Sequence, residues 1–171
     1  MLDFTPRQVL GAIDSPVVLL TSATDGRRNI MAANMVMGAS FNPVLIAISI
    51  TPSSYSHHLI EESGEFGLNV AGSGQLSIVE NVGADTGSDI DKFEEFDIPV
   101  TEAERIDAPL VAGCPASLEC LVVDSYPVGE HTLFIGHVVA LHRIEGAPVF
   151  LYRGDYYEPG NKLGHFFKGA A

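Results

Sequence analysis

The sequence predicts a mainly β protein, an antiparallel barrel of about six strands with a few short helices. Three observations carry that expectation. Apolar and β-branched runs recur at residues 16–21, 44–50, 66–70, 117–125, 132–144 and 149–153, with a further extended segment at 28–34. Turn signals of hairpin size separate some of them, Asp25-Gly26 in one place and Pro127-Val128-Gly129-Glu130 in another. Helical stretches are short and do not alternate regularly with strands, which argues against a doubly wound parallel sheet.

The elements follow in order. Thr5 and Gln8 have capping-box spacing and Pro6 suits the first helical position, so a short helix carries Val9, Leu10 and Ile13 on one side. Strands at 16–21 and 28–34 form a hairpin about Asp25-Gly26. Asn42-Pro43 punctuates, and the unbroken apolar run 44–50 predicts a strand buried on both faces. Beyond Pro52, Ser53 or Ser54 caps a helix with Tyr55, Leu59 and Ile60 at helical spacing, and Gly64 ends it. Strand returns at 66–70, then a short helix at 75–82, a polar loop at 83–87 and a helical turn or two within 89–96. From Ser117 the chain is β again.

Length and composition narrow the class. At 171 residues, 46% hydrophobic and 18% charged, the chain has the size and core of one domain, residues 1–171. Apolar runs fall well short of the roughly 20 residues of a membrane span, and the amino terminus lacks a secretory pattern. A cytoplasmic protein that spans no membrane is expected. Nine Lys and Arg against 22 Asp and Glu give a formal charge of −13, which repels nucleic acid and acidic membrane surfaces. A phosphate-bearing ligand must therefore be held by local N–H groups and hydroxyls, and helix starts are where these converge.

The stretch 44–63 offers such a start. Ser49, Thr51, Ser53, Ser54 and Ser56 crowd hydroxyls around the helix terminus, where an anion is welcome. Ordinary capping in a hydrophilic loop accounts for the same residues. Neither GxGxxG nor GxxxxGK[ST] occurs, so the common dinucleotide and P-loop sites are absent. His57, His58, His131, His137, His142 and His165 form no recognisable metal-ligand spacing, and no metal is expected. Cys114 and Cys120 read as buried small hydrophobes, and no serine elbow is present. His131 lies in the hairpin loop, free to reach a ligand or simply to decorate a polar tip. Lys92 reads as a solvated helix residue paired with Glu95 or another neighbour. Arg153-Gly154-Asp155 reads as a turn after a strand.

Taken together, ordered segments resemble the flavin reductase-like, FMN-binding split-barrel family, and within it the flavoredoxin-type branch. They are Pro16-Val17-Val18-Leu19-Leu20-Thr21-Ser22, Asn29-Ile30-Met31-Ala32-Ala33-Asn34, Asn42-Pro43-Val44-Leu45-Ile46, Ser53-Ser54-Tyr55-Ser56-His57 and Phe66-Gly67-Leu68-Asn69-Val70. Asp91-Lys92-Phe93, Leu118-Glu119-Cys120 and Gly129-Glu130-His131-Thr132-Leu133-Phe134-Ile135-Gly136 complete the set, and nearly the whole chain is covered.

The resemblance implies a six-stranded Greek-key split barrel, a homodimer whose interface helps form the flavin pocket, and an NAD(P)H-dependent flavin or ferric reductase. Its cofactor is FMN rather than FAD, its co-substrate NADH or NADPH, and its electron acceptor free flavin, an iron complex or a redox protein. Asn29, Met31, Ala32, Ala33, Asn34 and Met35 then run along the isoalloxazine, meeting it mainly with backbone groups. Ser49, Ile50, Thr51, Ser54, Tyr55, Ser56 and His57 take the ribityl chain and phosphate, Lys92 pairs with the phosphate, and His131 lies near the flavin or the nicotinamide, in the catalytic position. The family often has Ser or Thr where Met31 and Met37 stand, a basic residue at Thr51 and Asp at Glu130. Two rival readings use the same barrel: an FMN electron carrier reduced by a protein partner, and a barrel that has exchanged flavin for another apolar ligand.

Overall fold

In the computed structural model, which describes residues 4–83 and 87–163, the capping box forms as expected. Thr5 Oγ1 accepts from the Gln8 N–H, Gln8 Oε1 accepts from the Thr5 N–H, and Pro6 opens helix α1 (Pro6–Leu10). Next come β1 (Ser15–Pro16), β2 (Val18–Thr24), β3 (Arg27–Ala33), β4 (Val36–Phe41), β5 (Val44–Ile50), α2 (Tyr55–Ser63) and β6 (Glu65–Val70). A 3₁₀ turn (Ser73–Gln75) leads into α3 (Leu76–Val82), followed by α4 (Lys92–Glu95), β7 (Val100–Thr101), β8 (Leu110–Val111), β9 (Ala116–Val128), β10 (His131–Arg143), β11 (Phe150–Tyr152) and β12 (Asp155–Tyr157). The polar loop expected at 83–87 lies partly outside the described residues, as does His165.

Seven strands form the main sheet, in the order β3-β2-β6-β9-β10-β5-β4, with antiparallel neighbours throughout. Its two edge strands, β3 and β4, are consecutive in the chain. If the sheet were flat, seven strands spaced about 4.8 Å apart would separate those edges by roughly 29 Å. The link Asn34-Met35 spans at most about 11 Å between Ala33 and Val36. The sheet must therefore curl until its edges meet, which makes a barrel split between β3 and β4.

Strand β4 corrects the expected count of six. Val-Met-Gly-Ala-Ser-Phe is poor in β-branched residues and carries no alternation, so nothing local marks it as a strand. The long neighbour β5 makes it one, pairing Val36–Phe41 with Val44–Ile50 across Asn42-Pro43, whose peptide is cis. Asn34 and Met35 consequently stand between strands. The expectation that β5 is buried on both faces holds in its second half, where Ile48 and Ile50 on the inner face are fully buried and Ala47 on the outer face is 4% exposed, but not at its start, where Val44 is 50% exposed. The helices pack mainly on the β2–β3–β6 side; the β7–β8 connection covers Glu119 on the outer face of β9, while Met37, Leu121 and Val123 on the outer wall stay exposed among the described residues.

Two cores result. Inside the barrel Val18, Leu20, Ile48, Ile50, Phe66, Leu68, Cys120 and Phe134 meet Ile60 of α2. Outside, Val17, Leu19 and Ile30 pack against Val79, Val82, Phe93, Ile98, Val111 and Val149. Both cysteines are buried as expected, and desolvation pushes each thiol up to about 12. Gly136 faces inward, where a Cβ would stand 2.5 Å from Phe66 Cζ and 3.0 Å from Cys120 Cβ. Gly136→Ala is therefore expected to cost about 1–3 kcal/mol through overpacking. A urea midpoint equal to that of the wild type would refute this.

Candidate functional site

At the end of β5 the chain turns into α2 without capping it. Ser54 occupies the N-cap with extended φ −72° and ψ 135°, yet its side chain makes no capping hydrogen bond to the helix start. Its hydroxyl points instead to Met31 Sδ at 3.4 Å, a weak acceptor that is readily exchanged for a better one. The loop is held from behind by backbone bonds, Ser54 N–H to the Thr51 carbonyl and His57 N–H to the Ser54 carbonyl, each 3.0 Å. What remains is the uncapped positive end of a nine-residue helix, ringed by the hydroxyls of Thr51, Ser53 and Ser54.

Strand β3 forms the floor. Asn29 Nδ2 donates to Ser56 Oγ at 2.9 Å, tying β3 to the first turn of α2. Asn29 Oδ1 and Ser22 Oγ, cross-strand partners in the β2–β3 ladder, are buried and make no hydrogen bond among the described residues. Gly87 closes on the same amide so tightly that a Cβ there would lie 1.9 Å from Asn29 Oδ1. Gly87 and Ser22 carry no local sequence signal for this role, because only the fold brings them to Asn29.

His57 joins the floor to the β9–β10 hairpin. Its Nε2 shares a hydrogen bond of 2.8 Å with Thr132 Oγ1, and its ring stands edge-on to Phe134 at 5.1 Å. Glu61 comes within 3.3 Å of Nδ1 but out of line, so that nitrogen makes no hydrogen bond. Burial lowers the His57 pKa more than the Glu61 carboxylate raises it, which keeps the ring neutral at pH 7. Thr132 is a site residue that sequence reasoning missed; it shares the inward alternation of Phe134 and Gly136, which was the available signal. His57, His58 and Glu61 also bring one ligand atom each within 4.8 Å of one another on α2, a grouping the histidine spacings did not suggest.

Other expected residues are placed differently. His131 is the first residue of β10, paired with Val128, and alternation sends it to the outer face, opposite to Thr132. It does not sit in a loop. Ile50 is fully buried in the barrel and offers a ligand only its backbone. Lys92 is buried, not solvated: Nζ donates to the Val82 carbonyl at 2.6 Å, at the negative end of α3. Arg28 anchors the same α4 through Asp91 (2.9 Å) and Glu94 (2.7 Å) and stacks on Phe93. Asn34 reaches the Ser15 hydroxyl at 3.5 Å, and the Met35 carbonyl accepts from the Ser49 N–H at 3.0 Å. These two residues, next to Ala32 and Ala33, open onto a cleft of about 960 Å³ whose far walls are α1 and the β11–β12 turn.

The model of the family described as the flavin reductase-like domain matches residues 10–160. The chain belongs to that family. Relatives of this chain include proteins named as an NADH-dependent flavin reductase and a ferric-chelate reductase (NAD(P)H). A protein of Archaeoglobus fulgidus is 36% identical over 111 residues, 65% of this chain and 63% of its own length, so the matched part of this chain spans just under two thirds of that relative. An NADH-dependent flavin reductase of a Rhodococcus species is 30% identical over 154 residues, covering 88% of this chain and 82% of its own. Among solved structures, the flavoredoxin of Desulfovibrio vulgaris (Miyazaki F) superposes with a TM-score of 0.84 at 26% identity, covering 92% of this chain and 93% of that one. The split-barrel expectation is thereby borne out. Among the described residues no helix is long and apolar enough to cross a membrane.

Proposed function

We propose that this flavin reductase-like protein binds FMN, with the phosphate at the start of α2 and the ring along residues 29–35, and passes electrons from NADH or NADPH to free flavin or a ferric complex. The observation that carries the reading is the N-terminus of α2: nine residues long, capped by no side chain and surrounded by hydroxyls, in a chain of net charge −13. Ser54 needs only to turn its hydroxyl from Met31 Sδ to donate to a phosphate oxygen. Asn29, Ser56, His57 and Thr132 hold the helix start in place, and neutral His57 adds no charge of its own. Ser49, Thr51 and Tyr55 flank the ribityl path. Lys92, committed to Val82, is assigned to steadying α3 and α4 behind the site.

When bound, the flavin supplies hydride and single-electron chemistry. The chain's own part is to present backbone groups of Ala32, Ala33, Asn34 and Met35 to the polar ring edge, and to leave one side of the link open for a nicotinamide. His131 faces outward, on the wall where Met37 (65% exposed), Leu121 (39%) and Val123 (56%) present apolar side chains. A second copy of the chain covers that surface in our reading, and His131 then lies at the flavin's edge in the assembled dimer.

The test is a visible spectrum of the purified protein reconstituted with FMN, followed by anaerobic NADH and then NADPH, with sedimentation run on the same sample. Bound flavin that bleaches within seconds in a dimer of 18.2 kDa chains is the expected result. A protein that gives no spectral shift with FMN sinks the reading. One that holds FMN but bleaches only with a protein reductase becomes an electron carrier instead, and sedimentation at the monomer mass rejects the dimer.

A further inference from the structure

The cleft beside Asn34 and Met35 differs in charge from the rest of the molecule. Acidic residues outnumber basic ones by 22 to 9 in the chain, yet this cleft is lined by Arg7 and Arg153 and by no carboxylate. Neither arginine has an ion-pair partner among the described residues. Of the six other described arginines and lysines, Arg27 and Arg28 are tied to Glu62, Asp91 and Glu94.

Arg153 is placed there at a backbone cost. Tyr152 pairs with Asp155, so Arg153 and Gly154 are the two turn residues of the β11–β12 hairpin, with φ of 53° and 94°. Such turns favour Asn-Gly or Gly-Gly, because a side chain at the first position strains against its own carbonyl. A long cation at that position is the kind of local exception that marks a functional demand. The turn is also fixed to the far wall. Arg153 N–H donates to the Gly11 carbonyl at 3.2 Å, immediately after the helix that carries Arg7, and the guanidinium lies 5.2 Å over the Tyr152 ring.

We propose that Arg7 and Arg153 bind the phosphates of the nicotinamide dinucleotide, its adenosine half lying in the 960 Å³ cleft while the nicotinamide reaches the flavin beside Met35. This inference rests on the proposed function and adds the residues that recognise the co-substrate. The apolar lining supplied by Leu10, Ile13 and Leu151 suits an adenine, and two guanidiniums suit a pyrophosphate through paired N–H donors. Each step involved is non-covalent; the hydride still passes from nicotinamide to flavin.

Steady-state kinetics on the FMN-loaded protein with two reductants test it: NADH, and reduced nicotinamide riboside, which has the same reacting ring and no phosphate. Arg7→Ala and Arg153→Ala are each expected to raise KM for NADH about tenfold, with kcat within twofold and KM for the riboside unchanged. Rising salt should raise KM for NADH in the wild type and hardly at all in the double variant. Arg153→Gly, which relieves the turn, guards against loss through misfolding and should match Arg153→Ala. Unchanged KM for NADH in folded variants, or equal loss with both reductants, overturns the proposal while leaving the proposed function intact. A wild-type holoprotein that neither reductant bleaches overturns the proposed function, and this inference with it.

Discussion

Replacing Ser54 by Asp is expected to weaken FMN binding about a hundredfold while leaving the fold as stable as before, or slightly more so. The two effects have opposite signs because one position serves two purposes. Asp is among the best N-cap residues, and α2 has no side-chain cap, so the new carboxylate can accept from the first-turn N–H groups. That contributes about 0.5–1 kcal/mol to the helix. The same carboxylate occupies the place proposed for the phosphate and repels it; a hundredfold loss is about 2.7 kcal/mol, modest for like charges a few ångströms apart. Fluorescence titration with FMN and with riboflavin separates the causes. Riboflavin carries no phosphate, so its affinity should change little. An undiminished FMN affinity in Ser54→Asp removes the phosphate from α2.

The second large effect is on stability. Glu119 is fully buried on the outer side of β9, where its carboxylate accepts from the N–H groups of Glu104 (2.9 Å) and Arg105 (2.6 Å) and lies 2.6 Å from His142 Nε2. It thereby pins the connection between β7 and β8 to the barrel. Burial alone pushes its pKa up, but these three partners acting together outweigh it and hold the carboxyl below its ordinary value. Glu119→Ala leaves two backbone donors and an imidazole unmatched, at a cost of about 3 kcal/mol, the low end for a broken buried pair because His142 is partly solvated. For a chain of this size that is a fall of roughly 10 °C in Tm.

The pH dependence has a definite sign. A carboxylate with a depressed folded pKa contributes stability that is present above its unfolded pKa, about 4.3, and disappears as pH falls through the lower folded value. The Tm gap between wild type and Glu119→Gln should therefore be full at pH 7 and close below about pH 4. A gap independent of pH would show that the charge of Glu119 is immaterial.

Much of this could be read from local sequence because the physics concerned is local. The capping box Thr5–Gln8, the stop at Gly64 (φ 71°), the turn at Asp25-Gly26 and the long β9–β10 hairpin all depend on residues a few positions apart. The hydroxyl-rich start of α2 was legible for the same reason. So was the reading of Cys114 and Cys120 as buried small hydrophobes.

What the sequence by itself determined, then, is most of the longer elements, the family and the segment able to hold an anion. Tertiary structure decided which side chains meet. Val36–Phe41 is a strand because β5 offers it a ladder, not because of its own residues. Lys92 turns inward because the end of α3 presents a carbonyl to it, and Thr132 enters the site because β10 aligns it with His57. His131 faces away from that site because neighbouring residues in a strand point to opposite faces. Arg7 and Arg153, 146 positions apart, share a cleft only because the β11–β12 turn is bonded to the end of α1. Contacts of that kind depend on which distant segments the barrel brings together, and no window along the chain contains that information.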